Sequence, residues 1–235
     1  MLPKIATPKY DMIVPSTGES IKYRPYVVKE EKVLLIAMES QSDEGIETAV
    51  MDIISSCVES PINMKSMTTF DIEFMFVNLR AKSVGEGIKV DPPCEHCEEV
   101  NKDLKIDLAK VIVKGLEEDV DMHVKITDDI SVDIQWPTMK NKLTEADMKT
   151  GTDTLINMVA RSIGTIYSGE ETFAASDSSK KELVEFVESL GSDQFNALLE
   201  KVSKAPELSY VLEFKCVSCK KDNKIELKGL SDFFQ

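Results

Sequence analysis

Histidine is scarce in this sequence: His96 and His123 are the only two among 235 residues. Neither stands where a nucleophile–base–acid set can be built around it, and no glycine-rich phosphate loop occurs. No apolar run approaches the roughly 20 residues needed to span a bilayer. Met1-Leu2-Pro3-Lys4-Ile5-Ala6 lacks the character of a signal peptide. The expected compartment is therefore a reducing cytoplasm, where disulfides are not expected and paired cysteines bind metal or do redox chemistry. Positive charge is also in deficit. Lys and Arg number 28 against 42 Asp and Glu, for a formal net charge of −14. A nucleic-acid backbone is bound by neutralising it, so DNA and RNA fit poorly as the main partner. The acidity suits solubility and partners with basic or mixed-charge surfaces. Carboxylates are abundant, but none can be paired from sequence into a catalytic site, and the expectation is a protein that is not an enzyme.

The 42% hydrophobic and 30% charged fractions suit a soluble globular chain. Its length allows one domain with an insertion or two small ones. The strongest signal is a repeat. Cys94-Glu95-His96-Cys97 continues to Asn101-Lys102, and Cys216-Val217-Ser218-Cys219 continues to Asn223-Lys224, so both read C-x-x-C-x-x-x-N-K. Each is flanked by strand-like sequence, which makes each a knuckle at the tip of a hairpin. Two facing knuckles supply four thiolates, Cys94, Cys97, Cys216 and Cys219, for one tetrahedral structural zinc ion. A thioredoxin-type redox pair would instead open a helix, whose dipole lowers the thiol pKa, and neither pair does so convincingly. Two unrelated pairs of free thiols are the remaining reading. Glu95, Glu98 and Glu99 crowd the first knuckle, whereas Lys215, Lys220, Lys221 and Lys224 crowd the second, so facing tips would partly compensate in charge. Cys57 has no cysteine or histidine near it in sequence and reads as a plain buried thiol.

In chain order, Pro15-Ser16-Thr17-Gly18 joins two alternating runs into a β-hairpin. Helices are predicted over 29–40, with Val33, Leu34, Ala37 and Met38 as the apolar face, over 46–60, and over 70–83 with Thr68 or Thr69 as cap. After Gly85 and Gly87 the pattern turns to β. Strand-like segments flank the first knuckle, and a hairpin turns at Asp128-Asp129. From Thr144 to about Ala205 it reads as helical, with Ile163 and Ile166 on the first helix and 169–178 as a loop. Ser179 and Glu182 form a capping box. The expected fold class is α+β. It comprises an N-terminal hairpin and helical region over 1–85, a split zinc-ribbon-like β-subdomain over 86–138 and 206–235, and a helical insertion over 139–205. Closing so long a loop with a metal is feasible because closure entropy rises slowly with length.

Two end segments carry a resemblance. Pro15-Ser16-Thr17-Gly18 followed by Tyr23-Arg24-Pro25-Tyr26-Val27-Val28-Lys29-Glu30-Glu31-Lys32 and Leu34-Leu35-Ile36-Ala37-Met38-Glu39-Ser40 resembles the opening of the T4-type bacteriophage baseplate hub assembly family. Phe214-Lys215-Cys216 and the stretch through Leu227-Lys228-Gly229-Leu230-Ser231-Asp232-Phe233-Phe234 is similar to that family's ending. The resemblance implies a late protein made in the host bacterial cytoplasm, acting as a chaperone-like assembly factor or as a hub component of the virion tail baseplate. The implied partners are baseplate hub or tape-measure proteins. Tyr26, the helix over 29–40, Phe233 and Phe234 are the candidate docking residues, since exposed aromatics make good interface anchors; packing of the two terminal aromatics onto the fold is the other reading. A zinc-ribbon nucleic-acid-binding regulator is the competing function, and a steep salt slope for duplex binding would mark it.

Overall fold

The structure, a computed structural model, describes residues 5–40, 42–116 and 120–233. The fold is α+β. Its elements run β1 (Tyr10–Ile13), β2 (Ser20–Tyr23), α1 (Val28–Glu39), α2 (Asp43–Cys57), α3 (Thr69–Ser83), β3 (Gly87–Val90), β4 (Leu104–Asp107) and β5 (Ile112–Lys114). They continue with β6 (His123–Lys125), β7 (Ile130–Ile134), α4 (Gly151–Ser162), β8 (Ile163–Ser168), β9 (Glu171–Ala174), α5 (Lys180–Glu188) and α6 (Ser192–Val202). The long β10 (Glu207–Lys215), β11 (Asp222–Lys228) and α7 (Gly229–Phe233) close the chain. The chain divides into two compact units, one of residues 1–64, 70–114 and 207–235 and the other of 65–69 and 115–206.

In the first unit, β1 and β2 pair antiparallel with Tyr10 opposite Tyr23. The turn between them closes through Gly18, whose φ of 69° suits glycine. Ser16 donates to the Asp71 carboxylate through both its amide and its hydroxyl, tying that turn to α3. Helix α3 is apolar on most sides, with Phe70, Ile72, Met75, Phe76, Val77 and Leu79 all buried, as expected of a central core helix. Below it, β11, β10 and β5 form one antiparallel sheet, and β3 and β4 form a separate hairpin. Val77, Ile88, Ile106, Leu208, Leu212 and Phe233 share a core between them. Cys57 is buried, as read, and burial pushes its thiol up to about 11.

Phe233 is only 2% exposed and belongs to that core, because Gly229 takes a left-handed turn (φ 62°) that folds α7 back. Tyr26 is 5% exposed, its amide donating to the Ser83 hydroxyl. Both side chains are thus packed into the fold rather than exposed, which for Phe233 is the packing reading and for Tyr26 departs from the expected exposed aromatic; Phe234 lies outside the described residues. The same fold-back brings the Leu230 amide to 3.5 Å from Glu73 Oε1. Burial, reinforced by the nearby Glu207, pushes the Glu73 carboxyl up to about 7 despite that hydrogen bond. The folded chain therefore holds a proton that the unfolded chain, with an ordinary carboxyl, has released. That stabilisation is complete below about pH 4.5 and is lost as the pH rises through about 7. Glu73→Gln is expected to raise stability by about 2 kcal/mol at pH 8 and to leave it nearly unchanged at pH 5, read from urea midpoints at the two pH values.

In the second unit, β6, β7, β8 and β9 form one antiparallel sheet in that order. The hairpin turning at Asp128-Asp129 is present, with Val124 opposite Val132. Helix α5 carries its capping box, Ser179 and Glu182 satisfying each other's backbone amides. The stretch expected to be a helical insertion is mixed instead. Helix α4 is capped by Thr150, begins at Gly151 and ends at Ser162. Ile163 and Ile166 lie on β8, and the expected loop contains β9, with Ile166 opposite Phe173. The reason lies in the neighbouring strand. β7 offers a row of backbone groups that β8 satisfies from Ile130 opposite Ser168 to Ile134 opposite Ile163. The residues doing so, Ile163, Thr165, Ile166 and Tyr167, are strand formers.

Candidate metal centre

Backbone geometry brings the two knuckles into the same local shape. In each, the residues after the first cysteine form a turn, and the amide of that cysteine donates to a carbonyl five residues on: Cys94 to Glu99 and Cys216 to Lys221, both at 2.9 Å. In each, the residue after the second cysteine is left-handed, with φ of 60° at both Glu98 and Lys220. The amide two residues after the first cysteine points at its sulfur, His96 to Cys94 Sγ and Ser218 to Cys216 Sγ, both at 3.4 Å. Neither pair opens a helix, so the geometry is that of a metal knuckle rather than a thioredoxin-type redox turn.

The knuckles face each other. Cys94 Sγ lies 3.7 Å from Cys219 Sγ, and Cys97 Sγ lies 3.7 Å from Cys216 Sγ. All four sulfurs fall within 4.8 Å of one another. A tetrahedron with metal–sulfur bonds of about 2.3 Å has edges of about 3.8 Å, so the cage has the size a four-thiolate ion site needs. Cys94 and Cys216 are buried, Cys219 is partly so, and Cys97 is exposed at the rim. Burial opposes ionisation of Cys94, but the His96 and Cys97 amides and the neighbouring thiols outweigh it and bring the thiol down to about 6. Cys216 is lowered too, its burial being outweighed by the Cys219 and Ser218 amides. Cys97 is raised: the Glu99 amide favours its thiolate, but burial and the three neighbouring sulfurs oppose it. Four thiolates so close repel, and a central dication would let all of them ionise.

The repeated asparagines hold the arrangement. Asn101 Oδ1 accepts the Val217 amide at 2.9 Å, and Asn223 Oδ1 accepts the Glu95 amide at 3.0 Å. Each asparagine also donates back to its own knuckle, Asn101 to the Glu99 carbonyl and Asn223 to the Lys221 carbonyl. Each therefore reaches across to the residue following the opposite knuckle's first cysteine, giving the site a local pseudo-two-fold symmetry. Both side chains are buried. The C-x-x-C-x-x-x-N repeat displays these residues, but the spacing alone gives them no partner. Asn101→Ala or Asn223→Ala removes a buried side chain together with its hydrogen bond to the opposite knuckle and is expected to cost about 1–2 kcal/mol, measured by urea unfolding.

His96 completes the contacts, its Nε2 lying 3.2 Å from the Asp222 carbonyl. His123 belongs to the second unit and is bonded through Nδ1 to Asp133, which also accepts from the Tyr167 hydroxyl. The expected charge compensation between the tips takes another form. Lys224 pairs with Glu213 along its own hairpin, and Lys220 donates to the Val217 carbonyl. Among the described residues no ion pair joins Glu95, Glu98 or Glu99 to the second knuckle; the neutral asparagines make that connection instead.

No curated protein and no solved structure matches this chain. A family model, described as T4 bacteriophage base plate protein, matches residues 7–235, which takes in both knuckles and both asparagines. The chain belongs to the T4 bacteriophage base plate protein family.

Proposed function

We propose that this chain is a non-enzymatic assembly factor or component of the baseplate hub, acting by binding hub or tape-measure proteins, and that one structural zinc ion held by Cys94, Cys97, Cys216 and Cys219 staples its first unit. The observation that carries the role is the family match across 7–235. The zinc reading rests on the 3.7 Å sulfur separations of the cage. Four cysteine ligands close a tetrahedral shell, which is the structural rather than the catalytic type of zinc site. The staple joins the β3–β4 hairpin to the β10–β11 hairpin, segments more than a hundred residues apart in sequence. The net charge of −14 favours protein partners over a nucleic-acid one.

Assembly would take place in the host cytoplasm, and a permanent component would end in the virion tail. Quantitative mass spectrometry of purified virions and of assembly intermediates separates the two roles. A fixed copy number in both marks a component, and presence only in intermediates marks a chaperone. Absence from hub intermediates altogether would refute the assembly role.

A further inference from the structure

Helix α1 turns the wrong side to the solvent. Glu30, Leu34 and Ala37 face inward, whereas Val28 is 78%, Leu35 54% and Ile36 56% exposed. Val28, Lys32, Leu35 and Glu39 recur at intervals of four, three and four, which lays them in one stripe along the outer face. Lys32 and Glu39 have no ion-pair partner among the described residues. This stripe carries apolar groups with one cation and one anion a heptad apart, so it contains its own complement.

We propose that this face binds a second copy of the same chain, with α1 packed antiparallel on α1 about a two-fold axis level with Leu35 and Ile36. Lys32 and Glu39 lie equally far from that axis, one on each side. The two-fold operation therefore sets each copy's lysine beside the other copy's glutamate, while Leu35 and Ile36 fill the middle. A parallel pairing would set lysine against lysine and glutamate against glutamate, so the charges select the antiparallel form. A 12-residue helix is about 18 Å long, so the contact is small and the dimer weak, on the order of micromolar.

Sedimentation equilibrium of the full metal-loaded chain across a concentration series tests this. A monomer–dimer equilibrium is expected. Leu35→Glu should weaken it by at least about tenfold without shifting the melting temperature, since the side chain is already exposed. Lys32→Glu and Glu39→Lys should each weaken the homodimer by about tenfold at low salt. Mixing those two variants should restore pairing as a heterodimer, and the double swap in one chain should restore the homodimer. A single-chain mass at the highest soluble concentration overturns the proposal. So does a dimer indifferent to Leu35→Glu, and so does failure of the mixed variants to pair more tightly than either alone.

Discussion

Cys94→Ser or Cys216→Ser should release the metal and lower the melting temperature of the first unit by about 10 °C or more. In a site whose ligands converge only on folding, binding energy is folding energy. Losing about 4 kcal/mol shifts the midpoint by roughly 10 °C in a chain of this size. Exhaustive chelation of the wild type should reproduce the shift, and acid should do so as the thiolates take up protons. The position of the single tryptophan makes the result diagnostic. Trp136 lies in the unit of residues 65–69 and 115–206, which has its own core around Val132, Ile163 and Leu198. The early transition should therefore appear in far-UV circular dichroism while tryptophan fluorescence still melts at its wild-type temperature. Metal analysis should give one zinc per chain. Native protein that contains no zinc, or a serine variant that melts like wild type, would defeat the staple.

The knuckles were legible because two features coincided in the sequence, a repeated spacing and flanking strands on both sides. The cage then follows from the chemistry of thiols. The asparagine lock was visible as letters but not as a role, because it depends on which amide of the distant knuckle each side chain meets. β8 was hidden for a different reason. Ile156, Val159, Ile163 and Ile166 continue a helical spacing, so periodicity alone extends α4 through them. The run of β-branched and aromatic residues from Ile163 to Tyr167 was the signal against it, and the open edge of β7 settled the matter. Helix α1 failed in a third way. Val33 through Met38 is apolar at every position, so the pattern cannot choose a side. The structure turns Leu34 and Ala37 inward and leaves Leu35 and Ile36 outside. Tyr26 and Phe233 were read as possible anchors from their residue type, but packing onto α3 and the α7 fold-back buries them.

Asp147→Ala should be the most damaging single change in the second unit, at about 3–5 kcal/mol, and should move the tryptophan transition that the cysteine variants leave alone. The Asp147 side chain is fully buried, with Arg161 at 2.7 Å on Oδ2 and Lys180 bonded to Oδ1. Thr144 donates to the same carboxylate through its hydroxyl at 2.7 Å and its amide at 2.9 Å. The Asp147 carbonyl accepts from Asn157, so the residue ties a short turn to both α4 and α5. Burial resists the charge, but the hydrogen bonds from Lys180 and Thr144, with the Arg161 guanidinium, hold the carboxyl well below the usual carboxylate range. Its folded pKa being depressed, the contribution is present above the ordinary value of 3.8 and is lost as the pH falls below it. Wild-type fluorescence melts should therefore drop steeply below about pH 4, and Asp147→Ala should flatten that limb while lowering the plateau. Lys180 is half exposed and can swing into water, but Arg161 is not, and its Nε already has no partner among the described residues. Most of the cost thus arises from a guanidinium left buried without its anion. Replacing both residues, as Asp147→Leu with Arg161→Met, should recover a large part of the loss. A double variant as unstable as Asp147→Ala alone would show that the carboxylate acts chiefly by orienting the Thr144 turn, not by neutralising Arg161.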